Sequence, residues 1–137
     1  MPAAESNRLL LVDDDDLIAV ALQDYLTMRG CEVDTAHNYD AAKSMIGARE
    51  YAVAVTDVVV TGAGIDAGTA FLSWLRETAP RTAVIVLTGY RTAWLERFTR
   101  NLGITHFFDK PPHFADIVDA LSALTFNGSK LSGRNQS

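Results

Sequence analysis

Apolar residues fall into two alternating patterns along the chain. Short runs rich in aliphatic and β-branched side chains occupy Leu9–Val12, Val33–Ala36, Val53–Thr56, Ala83–Leu87 and Ile104–Phe108. Between them, apolar residues recur every three or four positions, the spacing of one helix face. The first such segment, near Leu17 to Met28, aligns Ile18, Ala21, Leu22 and Tyr25. The last, near Phe114 to Leu124, aligns Phe114, Ile117, Val118, Leu121 and Leu124. Punctuation residues agree with these spans. Asn38 is placed to cap the second helix with its side-chain oxygen, and Pro80 stops the third. Gly30 and Gly103 follow the first and fourth helices, where a left-handed residue closes the last turn.

The pattern predicts a strand–helix unit repeated five times. An uninterrupted run such as Ala83-Val84-Ile85-Val86-Leu87 implies burial on both faces, hence a parallel sheet between two helical layers. Right-handed crossovers are expected. A doubly wound α/β sheet of this kind binds ligands beyond the carboxyl ends of its strands, where strand order reverses. The residues just past each strand therefore carry the functional question. No fixed-period repeat is visible.

Composition narrows the field. The 137 residues fit one domain, and a formal net charge of −5 disfavours nucleic-acid binding, which needs a basic face. Cys31 is the single cysteine, so an intramolecular disulfide and a thiolate metal cage are excluded; it is expected to be a small buried residue. No apolar run spans a bilayer, and Met1 to Asn7 lacks the pattern of a secretory signal. A cytoplasmic protein is the expectation. The polar tail Asn127–Ser137 is expected to be mobile. His37, His106 and His113 show no ligand spacing and are expected at the surface or at helix starts.

Acidic residues gather at the strand ends. Asp13-Asp14-Asp15-Asp16 follows the first strand, Asp57 the third, Thr88 the fourth and Lys110 the fifth. Crowded carboxylates repel one another until a proton or a cation relieves them. Hard oxygen donors without His or Cys suit Mg²⁺. Lys110 offers a point charge, and the Thr88 hydroxyl a donor, to a phosphoryl oxygen. A carboxylate in such company can attack phosphorus. Asp15 and Asp16 are assigned the plainer task of favouring the start of the first helix.

These segments resemble the receiver domain of two-component response regulators. The matching pieces are Leu9-Leu10-Leu11-Val12-Asp13-Asp14-Asp15, Val55-Thr56-Asp57, Val86-Leu87-Thr88-Gly89 and Phe107-Phe108-Asp109-Lys110-Pro111. The resemblance implies a flavodoxin-like five-stranded sheet of order 2-1-3-4-5. It implies an N-terminal extension over residues 1–7, a receiver domain over 8–125 and a tail over 126–137. Asp57 would accept a phosphoryl group from a histidine kinase or phosphotransfer protein. Mg²⁺ would be held by Asp14, Asp57 and the backbone carbonyl of Val59, with Asp13 acting through a bound water. Thr88 and Lys110 would contact the phosphoryl group, and the Lys110–Pro111 bond would be cis. Phe107 would be the ring that turns inward as Thr88 moves. The face of the fourth helix, fifth strand and fifth helix would serve a downstream protein target or output module, with homodimerisation as one use. Trp94 on the fourth helix would be an anchor there.

The chain departs from the family pattern after Asp57. The loop Val58 to Gly68 lacks the usual proline, is about two residues longer and carries three glycines, which are expected to leave it free to move. Val59 and Tyr90 occupy positions that tune acyl-phosphate hydrolysis in the family; an apolar and a bulky residue there imply a long-lived phospho-form. Two rival readings stay open at this point. One is a receiver-like module that binds partners without phosphorylation. The other is a flavodoxin-like cofactor protein, which the acidic first strand end disfavours. Gly62-x-Gly64-x-x-x-Gly68 imitates a dinucleotide fingerprint with the wrong spacing.

Overall fold

A computed structural model describes residues 7–58, 64–89 and 91–124, with Asp16 described by its backbone alone. Five strands alternate with five helices: β1 (Arg8–Val12), α1 (Asp16–Thr27), β2 (Glu32–Ala36), α2 (Tyr39–Ala48), β3 (Val53–Asp57), α3 (Gly64–Thr78), β4 (Ala83–Thr88), α4 (Ala93–Asn101), β5 (His106–Asp109) and α5 (Phe114–Ala123). All pairings are parallel, and the order is β2-β1-β3-β4-β5. The order reverses between β1 and β3, so their carboxyl ends flank the expected crevice.

Alternation along the strands divides the core in two. Leu9, Leu11, Val53, Val55, Ile85 and Leu87 pack with α1 and α5 on one face. Leu10, Val12, Ala54, Val84 and Val86 pack with α2, α3 and α4 on the other. Each central strand is thus apolar on both faces, which explains its uninterrupted sequence. Burial of one such leucine or isoleucine contributes about 1.5–3 kcal/mol.

Local chemistry sets the helix ends. Asp15 caps α1, its Oδ1 accepting from the Leu17 and Ile18 amides at 3.1 and 3.3 Å. Asn38 caps α2 by accepting from the Ala41 amide at 2.7 Å. Gly30 and Gly103 adopt φ of 91° and 82°, beyond the ends of α1 and α4.

Three expectations need correction. β5 starts at His106, because the Ile104 amide instead donates to the Thr99 carbonyl at 3.0 Å and closes α4. On α1, Ala21 is exposed; the buried face runs through Ala19, Leu22 and Leu26. The connection after β3 does not extend to Gly68, because α3 has already begun at Gly64. Gly68 is also no source of freedom: a Cβ there would overlap the Val58 carbonyl oxygen. Cys31 is buried, as expected, and burial raises its thiol to about 11. No described helix is long and apolar enough to cross a membrane.

Candidate functional site

The carboxyl ends of β1, β3, β4 and β5 bring Asp13, Asp57, Thr88 and Lys110 to one edge of the sheet. Asp13 directly follows β1. Its amide donates to the Ala36 carbonyl at 3.0 Å and so continues the ladder with β2. Its side chain is fully buried, an expensive position for a charge without a partner. Oδ1 accepts from the Asp15 amide at 2.9 Å and from Lys110 Nζ at 3.0 Å. Oδ2 also lies 3.0 Å from Lys110 Nζ, yet the angle there gives a charge contact and no hydrogen bond. One buried carboxylate oxygen therefore faces the site without a hydrogen-bond donor.

Asp57 closes β3 and is 5% exposed. Its Oδ2 accepts from Lys110 Nζ at 3.1 Å. Asp14 is half-buried beside them, and ligand atoms of Asp13, Asp14 and Asp57 lie within 4.8 Å of one another. Thr88 ends β4 fully buried. It pairs with Asp109, and its carbonyl accepts from the Lys110 amide at 3.0 Å, which seats the lysine at the rim. The Lys110–Pro111 peptide is cis.

Charge explains the state of the lysine. Burial lowers the Lys110 pKa, but hydrogen bonds and charge from Asp13 and Asp57 outweigh it, so the net shift is upward. The ammonium is thus secured in its charged form by the two carboxylates it bridges. It offsets only part of the charge of three acids. The hard oxygen set and the unsatisfied Asp13 Oδ2 together fit a small divalent cation such as Mg²⁺.

Phe107 is half-buried in β5, against the α4 side of the core. The Arg91 guanidinium covers it, 4.5 Å from the ring centroid. The same side chain donates to the Phe107 carbonyl at 3.0 Å and to Asp109 Oδ1 at 2.8 Å, and it pairs with Glu96 on α4. Val59 and Tyr90 lie outside the described residues, as do residues 1–6 of the N-terminal extension and the tail.

Three neighbours of the site were not anticipated. Arg91 carries no periodic signal; it is one polar residue on a connection. His37 is exposed, with Nδ1 3.3 Å from the Asp13 carbonyl oxygen, so one of the three scattered histidines stands at the rim. Tyr39, the first residue of α2, is buried and donates to the Asp57 carbonyl at 2.9 Å. An aromatic directly after the Asn38 cap was the only visible hint.

Comparison with known proteins agrees with this geometry. The model of the response regulator receiver domain matches residues 9–122. The photosynthetic apparatus regulatory protein RegA of Rhodovulum sulfidophilum is 34% identical over 128 residues, covering 93% of this chain and 66% of the relative. RegA of Rhodobacter capsulatus is 34% identical over 116 residues, covering 84% of this chain and 61% of the relative. The chain thus spans slightly less than two thirds of the length of these relatives. Among solved structures, a CheY-like receiver domain protein from Methanospirillum hungatei JF-1 superposes with TM-score 0.81 at 24% identity, covering 92% of this chain and 98% of that one. A response regulator from Burkholderia pseudomallei, solved with a phosphorylated aspartic acid, calcium ion and citrate, gives TM-score 0.74 at 28% identity, covering 92% of this chain and 71% of that one. With its sheet order, its acidic strand ends and this family match, the chain belongs to the response regulator receiver domains of two-component signalling.

Proposed function

We propose that this receiver is switched by phosphorylation of Asp57. The observation that carries the reading is the bridge from Lys110 to both Asp13 and Asp57, which joins three strand ends into one charged site. The B. pseudomallei relative, whose structure holds a phosphorylated aspartic acid and a calcium ion, supports it by analogy. In this reading a carboxylate oxygen of Asp57 attacks the phosphorus of a phosphohistidine on a histidine kinase or phosphotransfer protein. The O–P bond forms as the P–N bond breaks, and the freed imidazole nitrogen takes a proton from solvent. Lys110 and Thr88 donate to the phosphoryl oxygens. Asp13, Asp14, Asp57 and the Val59 carbonyl are the groups that would hold Mg²⁺. When bound, the ion would offset negative charge on the transferring group.

The readout belongs to the β4–α4 connection, Phe107 and the face of α4, β5 and α5. Trp94, 51% exposed and stacked on Phe98 with centroids 5.4 Å apart, offers an apolar anchor for a downstream protein or a second copy. Residues 8–125 are the proposed receiver unit, and the cytoplasm is its proposed compartment. Val59 and Tyr90 are proposed to slow loss of the phosphoryl group.

Incubation with Mg²⁺ and a small phosphodonor, followed by intact mass, tests the proposal. One added phosphoryl group is expected, lost on chelation of the metal and absent from Asp57→Ala. No uptake by the wild type overturns it.

A further inference from the structure

We infer that Tyr39 is a positioning residue for Asp57, acting through the backbone of the acceptor and not through its carboxylate. The inference rests on the proposed phosphorylation of Asp57.

β3 ends at Asp57, so its carbonyl sits where strand pairing gives way to a connection. That carbonyl accepts two side-chain hydroxyls: Tyr39 at 2.9 Å and Thr56 at 3.1 Å, both in buried surroundings. A buried carbonyl has two lone pairs to satisfy, and here two hydroxyls are supplied. Tyr39 is itself held. It opens α2 behind the Asn38 cap, and its ring stacks on Phe71 of α3 with centroids 4.8 Å apart. Phe71 in turn stacks on Trp74 at 5.9 Å. The phenol is therefore held by its place on α2 and by stacking against α3.

Gly68 completes the clamp. A Cβ at this position would overlap the Val58 carbonyl oxygen and stand 2.9 Å from Tyr39 Oη. The Val58 carbonyl thus lies directly against the second turn of α3, and the Tyr39 hydroxyl lies close to the same turn. Tyr39 from one helix and Gly68 from another fix the chain direction as it leaves Asp57. The connection that follows contains one glycine and no proline, so no proline ring restrains the chain there and contacts such as these direct it. Alignment of the attacking oxygen depends on backbone direction, and small misplacements of a nucleophile lower rates.

The test compares wild type, Tyr39→Phe and Thr56→Val at saturating Mg²⁺ across a range of acetyl phosphate concentrations, with phosphorylation read by intact mass. Loss of one hydroxyl should lower the maximal rate by about three- to tenfold. The half-saturating donor concentration should hold, and melting should show a folded protein. A second readout needs neither metal nor donor: hydrogen exchange in the segment containing Asp57 and Val58 should accelerate in Y39F. Should Y39F fail to fold, T56V carries the test, because it removes the other donor to the same carbonyl. Folded variants phosphorylated at the wild-type rate with unchanged exchange overturn the inference alone. A wild type that takes up no phosphoryl group overturns the functional reading and this inference with it.

Discussion

Lys110 donates to Asp57 Oδ2 at 3.1 Å across 53 residues of sequence, while the same ammonium stands 3.0 Å from Asp13. One cation from the end of β5 therefore holds two buried carboxylates from the ends of β1 and β3. Removal of the cation leaves those carboxylates facing each other. Lys110→Met is expected to lose about 3 kcal/mol at neutral pH, because breaking a buried pair strands its partners. Urea unfolding measures this. The pH dependence has a definite sign. The folded pKa of Lys110 is raised above its ordinary value of 10.5. Its contribution is complete below that ordinary value and is lost as pH rises through the folded one. The stability gap between wild type and K110M should stay level from neutral pH to about 9.5 and shrink only at stronger alkali.

Asp14 adds a third carboxylate to the cluster. In metal-free buffer, Asp14→Asn relieves repulsion and should raise the melting midpoint by about 2–5 °C. Mg²⁺ should then stabilise the wild type by mass action and leave D14N nearly unmoved. Thermal scans at rising Mg²⁺ concentration check both halves. A D14N midpoint that climbs with Mg²⁺ as steeply as the wild type removes Asp14 from the ligand set.

Gly68 sits where a methyl group has no room against the Val58 carbonyl. Gly68→Ala gains intrinsic helix propensity of about 1 kcal/mol, but the backbone clash forces α3 away from β3. A net loss of about 1–3 kcal/mol is expected, the usual range for overpacking. Chemical denaturation decides the sign; a stabilised G68A contradicts the close approach.

Arg91 joins the β4–α4 connection to Phe107, Asp109 and Glu96. These contacts are substantially exposed, so Arg91→Ala should cost less than about 1 kcal/mol, and the cost should fall with added salt. The larger effect should be local, because the guanidinium covers the Phe107 ring. Trp94 emission, reporting from α4, is expected to shift in R91A, while Trp74 on α3 is not. Placing R91A in Trp94→Phe and Trp74→Phe backgrounds separates the two signals.

Much of this arrangement is legible in the sequence. The central strands are visible because each is buried on both faces, which leaves an uninterrupted apolar run such as Ala83–Leu87. Asp13, Asp57, Thr88 and Lys110 were legible because a parallel sheet must bring its carboxyl ends to one edge. Contacts between elements were not. Tyr39 reaches Asp57 across 18 residues and Arg91 reaches Phe107 across 16. No local periodicity encodes a hydroxyl meeting a carbonyl between two helices. Gly68 looked like slack in a loop because glycine's permissiveness and its lack of a Cβ are the same feature in a sequence. Only the nearby Val58 carbonyl shows that the second property matters here. Hydrophobicity places Ile104 in β5, yet its amide finishes α4.

The central claim is that Asp57, and no other carboxylate of the cluster, takes the phosphoryl group. Borohydride reduction of the phosphorylated protein converts an aspartyl phosphate into homoserine and marks the residue for peptide mapping. Homoserine is expected at position 57 in protein treated with Mg²⁺ and acetyl phosphate, and none at 57 when the metal is chelated. Homoserine at Asp13 or Asp14, or an unmodified Asp57 after full treatment, would contradict it.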